Sequence, residues 1–250
     1  MSFSSSFDGF VVVHAAFLVP ERRDYFEKEF ARVGLQDYHV IETQPVTADD
    51  PRLDYYSGKA NGILSLIDGF LAAIDLAESS NWNSLVIFED DIIFSTKFVE
   101  YWQNFEPELS RTNWGVITLH RTPPSNVYVQ SAPAGKVTKL VVTDQNTACQ
   151  CVIVKREYFQ EFRRSILEGI ERGFPVDFFY GIFSHHNPSR YLASDRNLTG
   201  QRGGFKSSLQ GNNIKRNKFS EFREAQRFIA PLINALADGL RRLKALRKAS

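Results

Sequence analysis

From Gly9 to Val19 the chain is almost continuously apolar, the mark of a strand buried on both faces. Pro20 then suits the first turn of a helix whose Phe26, Phe30 and Val33 share one stripe and whose stop is Gly34. A second short strand is expected over 38–42. Over 61–77, Ile63, Ile67, Phe70, Leu71 and Ile74 recur at helical spacing, the clearest amphipathic helix of the chain. Residues 84–88 form another buried strand that runs straight into Glu89-Asp90-Asp91. Phe98, Trp102, Phe105 and Leu109 mark a helix, and 115–119 a strand. Two segments, 137–142 and 147–154, look like a β-pair. Phe159, Phe162, Ile166 and Ile170 mark a further helix before Pro175-Val176-Asp177. Strands alternating with helices of this length predict an α/β domain with a mostly parallel sheet and helices on both faces. Ligands of such sheets bind beyond the carboxyl ends of the strands.

The acidic triplet falls at one of those ends. If the strand continues, Glu89 and Asp91 point to one side and Asp90 to the other. Two carboxylates ~4 Å apart repel by ~1 kcal/mol in water and ~4 kcal/mol at an effective dielectric near 20. A cation would relieve this, and hard oxygen ligands favour Mg²⁺ or Mn²⁺. The plainer alternative is a loop whose acids cap the next helix or pair with Arg. An acid-ended apolar strand also occurs in P-loop ATPases, and Gly200-Gln-Arg-Gly-Gly-Phe-Lys-Ser is loosely like a phosphate loop. Phe205, however, stands where that motif needs glycine, and the segment follows the acids instead of preceding them. The ATPase reading is rejected.

Composition narrows the class. A 250-residue chain with 43% hydrophobic and 24% charged residues is that of a folded globular protein. Two cysteines, Cys149 and Cys151, cannot make a disulfide framework and fit a reducing compartment. The apolar run from 10 to 20 is too short to span a bilayer, and the opening Met-Ser-Phe-Ser-Ser-Ser has no basic region. A soluble cytoplasmic chain is therefore expected. The net charge of +1 hides an asymmetry: residues 215–250 carry ten Lys and Arg against three acids, leaving −6 for 1–214. An acidic body argues against nucleic acid as a partner. The tail is different. Phe222, Ala225, Ile229, Leu232, Leu236, Leu240 and Leu243 fall on one helical side, with Arg241, Arg242, Lys244, Arg247 and Lys248 crowding the end. Such a basic amphipathic helix can lie peripherally on an anionic membrane surface, at the inner face. It can equally pack on the domain or on another subunit, and Pro231 suggests two helices in place of one.

With these elements in order, the sequence resembles the GT-A class of nucleotide-sugar glycosyltransferases, and within it family 25, the lipooligosaccharide and procollagen galactosyltransferases. The likeness rests on Pro20-Glu-Arg-Arg after the first strand, Gly62-Ile-Leu-Ser, Leu85-Val-Ile-Phe-Glu-Asp-Asp-Ile and Pro175-Val-Asp. Leu66 stands where the family has His. Pro175-Val-Asp-Phe and Asn197-Leu-Thr-Gly-Gln-Arg-Gly-Gly-Phe-Lys-Ser-Ser-Leu also resemble the N-acetylglucosaminyltransferase IV type, with Gln201, Gly204, Ser207 and Ser208 matching and Arg202 replacing His.

The resemblance implies a GT-A-like domain over 1–214, followed by the helical tail over 215–250. It implies transfer of a sugar from a nucleotide diphosphate sugar, UDP-linked, to a hydroxyl of a glycan or lipid-linked glycan acceptor, with inversion. Glu89, Asp90 and Asp91 would hold Mn²⁺ or Mg²⁺ against the diphosphate, with Asp91 the direct ligand. Arg22 and Arg23 would lie near the nucleotide end, or else be surface charges at a helix start. Gln201, Arg202 and Ser207 would line the donor site, the Arg202 guanidinium forking onto phosphate. Asp177 would be the general base, or alternatively the N-cap of the next helix. A sugar nucleotidyltransferase is disfavoured, because 14–23 lacks a Gly-rich loop; a non-catalytic nucleotide-sugar or glycan-binding module remains the other alternative. His14 is read as a core or edge histidine, and His185 and His186 as surface residues.

Overall fold

The structure, a computed structural model, describes residues 2–56, 60–120, 127–128, 140–143, 150–174, 176–194 and 198–201. It contains strands β1 (Gly9–His14), β2 (His39–Glu42), β3 (Ser84–Glu89), β4 (Ile92–Phe94), β5 (Val116–Thr118), β6 (Val127–Tyr128), β7 (Leu140–Thr143), β8 (Cys151–Lys155), β9 (Tyr191–Ser194) and β10 (Thr199–Gln201). Its α-helices are α1 (Arg22–Val33), α2 (Ala60–Ser79), α3 (Phe98–Arg111), α4 (Phe159–Glu171) and α5 (Phe179–His186). The main sheet has the order β2-β1-β3-β8-β5-β9-β7-β6. Six of its strands run one way and only β7 and β8 are reversed, so the expected mostly parallel α/β sheet is what the structure shows.

Alternation along the strands builds two cores, one on each face. Val11, Val13, Leu85, Ile87, Val152 and Val154 pack beneath α2, α4 and α5, through Phe70, Ile74, Phe162, Ile166, Phe179 and Phe183. Phe10, Val12, Val86, Phe88, Ile117 and Ile153 face α1 and α3, through Phe26, Phe30, Phe98, Trp102 and Phe105. The aromatic richness of the sequence is spent mainly here: Phe3 packs edge-on against Phe10, Phe98 and Trp102.

Three expectations need correcting. The first strand stops at His14, because the chain then turns, with Leu18 and Val19 both donating to the Ala15 carbonyl. The two segments expected to pair with each other do not. β8 lies between β3 and β5, antiparallel to both, while β7 pairs with β9 and β6. A strand apolar on both faces gains most in the middle of the sheet, where both faces are covered. The chain also leaves strand geometry after Glu89, so Asp90 and Asp91 sit in a turn. Gly34 does terminate α1, in the left-handed conformation at φ 76°.

A separate two-stranded ribbon, β4 with β10, sets Gln201 opposite Ile92, beside the acidic turn. Cys151 is buried, and burial pushes its thiol well above the usual range, consistent with an inert core residue. Cys149 and the tail 215–250 lie outside the described residues. Among the described residues no helix is long and apolar enough to cross a membrane.

Candidate functional site

The site lies at the carboxyl edge of the sheet, where β1 and β3 end side by side. Parallel pairing sets Val13 opposite Glu89, so His14 arrives next to the turn that carries Asp90 and Asp91. Its Nδ1 lies 2.9 Å from Asp90 Oδ2, and the Ala15 backbone N–H donates to the same oxygen at 3.0 Å. Arg22, at the start of α1, donates from Nη1 to Asp90 Oδ1 at 2.5 Å. Both oxygens of Asp90 are thus held by protein donors. Burial alone would push its carboxyl up, but the His14 hydrogen bond and the Arg22 guanidinium outweigh it and hold the group below the usual range.

The same Arg22 Nη1 stands 3.4 Å from Asp91 Oδ2, which also accepts from Gln201 Nε2 at 2.9 Å. One guanidinium therefore reaches both aspartates, which the turn, unlike a continued strand, allows. Arg22 is only 4% exposed. Burial would lower its pKa, yet Asp91, Asp90 and Glu89 together hold it above the ordinary value. Asp91 differs from Asp90 in one respect that matters. Its Oδ1 is buried and has no hydrogen-bond partner, and burial raises its carboxyl above the usual range.

That orphaned oxygen bears on the expected cation. Among the described residues no group of three His, Cys, Asp or Glu gathers to hold a metal. Asp90 is saturated. Asp91 Oδ1, a hard acceptor without a donor, fits a divalent ion that takes its other ligands from phosphate oxygens and water, the habit of Mg²⁺ sites. A cation there would be held through Asp91, and the Arg22 guanidinium, 3.4 Å from Asp91 Oδ2, is already a permanent positive charge.

The remaining sequence-derived residues separate clearly. Gln201 joins the site through Asp91. Arg23 does not: it is exposed and pairs with Glu27 at 3.1 Å and Glu42 at 2.8 Å. Asp177 lies in a 3-10 turn, Val176–Phe178, and the N-cap position of α5 belongs to Phe178, one residue later. The helix α4 runs back from the amino edge of the sheet, so this turn falls at the carboxyl edge. Arg202 and Ser207 lie outside the described residues. His185 and His186 are exposed, and His186 pairs with Glu168 at 2.8 Å, as a surface role requires.

Sequence reasoning missed the part that His14 plays: it is buried, as expected, but its partner is an acid of the triplet. Only its position at the end of an apolar strand could have suggested this. Two further residues went unnoticed. His120 follows β5, and its Nδ1 lies 2.7 Å from the Thr199 carbonyl in the β10 strand that carries Gln201. A carbonyl only accepts, so Nδ1 carries the proton and Nε2 the lone pair of the neutral ring. Gln150, just before β8, receives the Glu89 amide on its carbonyl at 3.2 Å.

No family model matches the chain, and no curated protein does. Among solved structures it is similar to a glycosyltransferase involved in the glycosylation of the major capsid of PBCV-1, at 13% identity and TM-score 0.42, over 74% of this chain and 82% of that one. It is also similar to A197 from STIV, at 14% identity and TM-score 0.41, over 83% and 96% of the two chains. A putative glucose-1-phosphate thymidylyltransferase from Bacillus anthracis matches at 11% identity and TM-score 0.42, over 85% and 94%. Likenesses this loose decide nothing about chemistry.

Proposed function

We propose that this chain is a glycosyltransferase that moves a sugar from a nucleotide diphosphate sugar, UDP-linked, to a hydroxyl of a glycan or lipid-linked glycan acceptor. The observation that carries the reading is Asp91 Oδ1, buried without a partner beside the buried Arg22 guanidinium at the carboxyl end of β3. Buried carboxylate oxygens are nearly always hydrogen-bonded, so one left unsatisfied beside a buried cationic side chain calls for a functional explanation. The order of motifs that resembles GT-A enzymes supports the same edge as the donor site.

In this reading each residue has one task. His14 and the Ala15 amide lock Asp90, and Asp90 in turn aims Arg22. Arg22 presents fixed positive charge toward the leaving diphosphate, where negative charge grows as the sugar–oxygen bond breaks. Asp91 would hold the Mn²⁺ or Mg²⁺ ion, which when bound neutralises diphosphate charge. Gln201 orients Asp91 from the other side. Asp177 takes the proton of the acceptor hydroxyl as its oxygen attacks the anomeric carbon in line, inverting it. Arg202 contacts the diphosphate, and Ser207 lies with it in the donor site. The basic tail, 215–250, brings the domain to an anionic membrane surface bearing the acceptor.

The test is a panel of nucleotide sugars assayed for binding and slow hydrolysis, with and without Mn²⁺, on wild type and Asp91→Ala. The wild type should bind and slowly hydrolyse one of them, and Asp91→Ala should lose at least ~10-fold in Mn²⁺-dependent affinity while melting within a few degrees of wild type. Binding without any hydrolysis would favour a non-catalytic module. Undiminished binding and hydrolysis by Asp91→Ala would remove Asp91 from the site.

A further inference from the structure

Among the described residues, the largely exposed Phe, Tyr and Trp side chains all fall in one place: Tyr55 at 52%, Phe174 at 36% and Phe178 at 49%. The Phe174 and Phe178 rings lie 5.7 Å apart and tilt against each other by 40°. Tyr55 ends the 3-10 turn Pro51–Tyr55, and that turn is fastened to the same spot. The Tyr56 hydroxyl donates to the Phe174 carbonyl at 2.8 Å. Gly173, at φ 67°, lies so close that a β-carbon there would stand 2.5 Å from the Tyr55 carbonyl oxygen. Fixed backbone therefore carries the three rings. The 51–55 turn follows β2 and the Phe174 segment follows α4, both of which run toward the carboxyl edge of the sheet. Asp177 is bracketed in sequence by Phe174 and Phe178.

Exposed apolar surface gathered in one patch calls for something that covers it. Three rings, each about half exposed, offer at most a few hundred Å², short of the roughly 800 Å² a side of a stable protein interface. An anionic bilayer is disfavoured, because along 49–56 Asp49, Asp50 and Asp54 stand against Arg52 alone. A pyranose meets both conditions. One face presents C–H bonds, which the negative face of an aromatic ring attracts, and its rim carries hydroxyls that carboxylates accept. We propose that Tyr55, Phe174 and Phe178 form a stacking platform that holds a pyranose ring of the acceptor glycan beside Asp177. The inference rests on the transferase reading and supplies its acceptor side.

Saturation-transfer NMR with irradiation of the aromatic protons tests the platform directly. The probes are methyl β-glucopyranoside, methyl β-galactopyranoside and methyl α-mannopyranoside, titrated with UDP and Mg²⁺ present. Wild type should pass saturation to the ring C–H protons of at least one of them. Phe174→Ala and Phe178→Ala should each weaken its binding about 3- to 10-fold, the scale of one aromatic contact. Phe178→Tyr should restore binding, and Val99→Ala, an equally exposed apolar truncation on α3, should bind as wild type does. All four variants should melt within a few degrees of wild type, since the side chains are exposed. No transfer to any of the three sugars, wild-type affinity in Phe174→Ala/Phe178→Ala, or equal weakening by Val99→Ala would overturn the assignment. So would failure of the Phe variants to fold, which would make the rings structural. Loss of pelleting with anionic vesicles in the double variant, with sugar binding intact, would make the patch a membrane contact instead. The nucleotide-sugar panel, run in parallel, separates the two readings. A wild type that binds a nucleotide sugar but no pyranoside removes the platform alone, whereas one that binds a pyranoside through these rings but no nucleotide sugar keeps the platform and removes the transferase.

Discussion

Replacing Arg22 by Met tests the electrostatic core of the site. In wild type the guanidinium is 4% exposed and stands 2.5 Å from Asp90 Oδ1 and 3.4 Å from Asp91 Oδ2. Methionine keeps much of the volume and deletes the charge, leaving two buried carboxylates without the cation they share. Breaking a buried ion pair from one side costs about 3–5 kcal/mol. Asp90 keeps the His14 ring and the Ala15 amide, so the lower end applies, about 3 kcal/mol. At roughly 2–4 °C per kcal/mol for a domain of this size, the melting temperature should fall by roughly 6–12 °C at pH 7.5.

The pH dependence has a definite sign. Wild-type Asp90 is held below its ordinary value, so its stabilisation is present above the unfolded pKa and is lost as pH falls through the folded one. Asp91 is raised, so its contribution is greatest at low pH and is lost as pH rises through its folded pKa. Without Arg22 both carboxyls move upward, the native state binds more protons than the unfolded chain, and stability rises on acidification. Urea denaturation at pH 7.5 and pH 5 should therefore show the gap between wild type and variant narrowing at pH 5. A gap under ~1 kcal/mol at pH 7.5, below the usual cost of an uncompensated buried charge, would refute the reasoning, as would a gap that widens with acid.

Asp177→Asn should lower turnover by about 10²-fold with donor affinity little changed, the scale of a positioned base, and normal turnover in an equally stable variant would rule it out as the base. Gly173→Ala should destabilise by more than about 2 kcal/mol, since the residue has φ 67° and a β-carbon there would lie 2.5 Å from the Tyr55 carbonyl oxygen. Gly34→Ala, at φ 76° with open space around it, isolates the backbone strain alone at about 1 kcal/mol; equal losses at the two sites would mean the Tyr55 contact is absent. A chain ending near Asn217 should fail to sediment with anionic liposomes at low salt while the full chain pellets, and identical behaviour of the two would leave the tail a packing element.

The sequence by itself determined most of the elements and the edge at which the chemistry collects. Apolar runs and helical stripes mark strands and helices because each element must hide its own apolar side, and that requirement is local. The three acids are legible for the same reason: they interrupt an apolar strand where nothing in the pattern calls for charge. Only the tertiary structure decided which of them is available. Asp90 is taken by His14, 76 positions away in sequence, and no local pattern records that pairing. Arg22 and Arg23 read alike as a dipeptide, yet successive helical residues point about 100° apart, so one turns inward to the aspartates while the other meets Glu27 and Glu42. The insertion of β8 between β3 and β5 set Gln150 beside Glu89. Strand partners are chosen by which faces and edges remain to be covered once the chain has closed on itself, and that choice belongs to the whole fold.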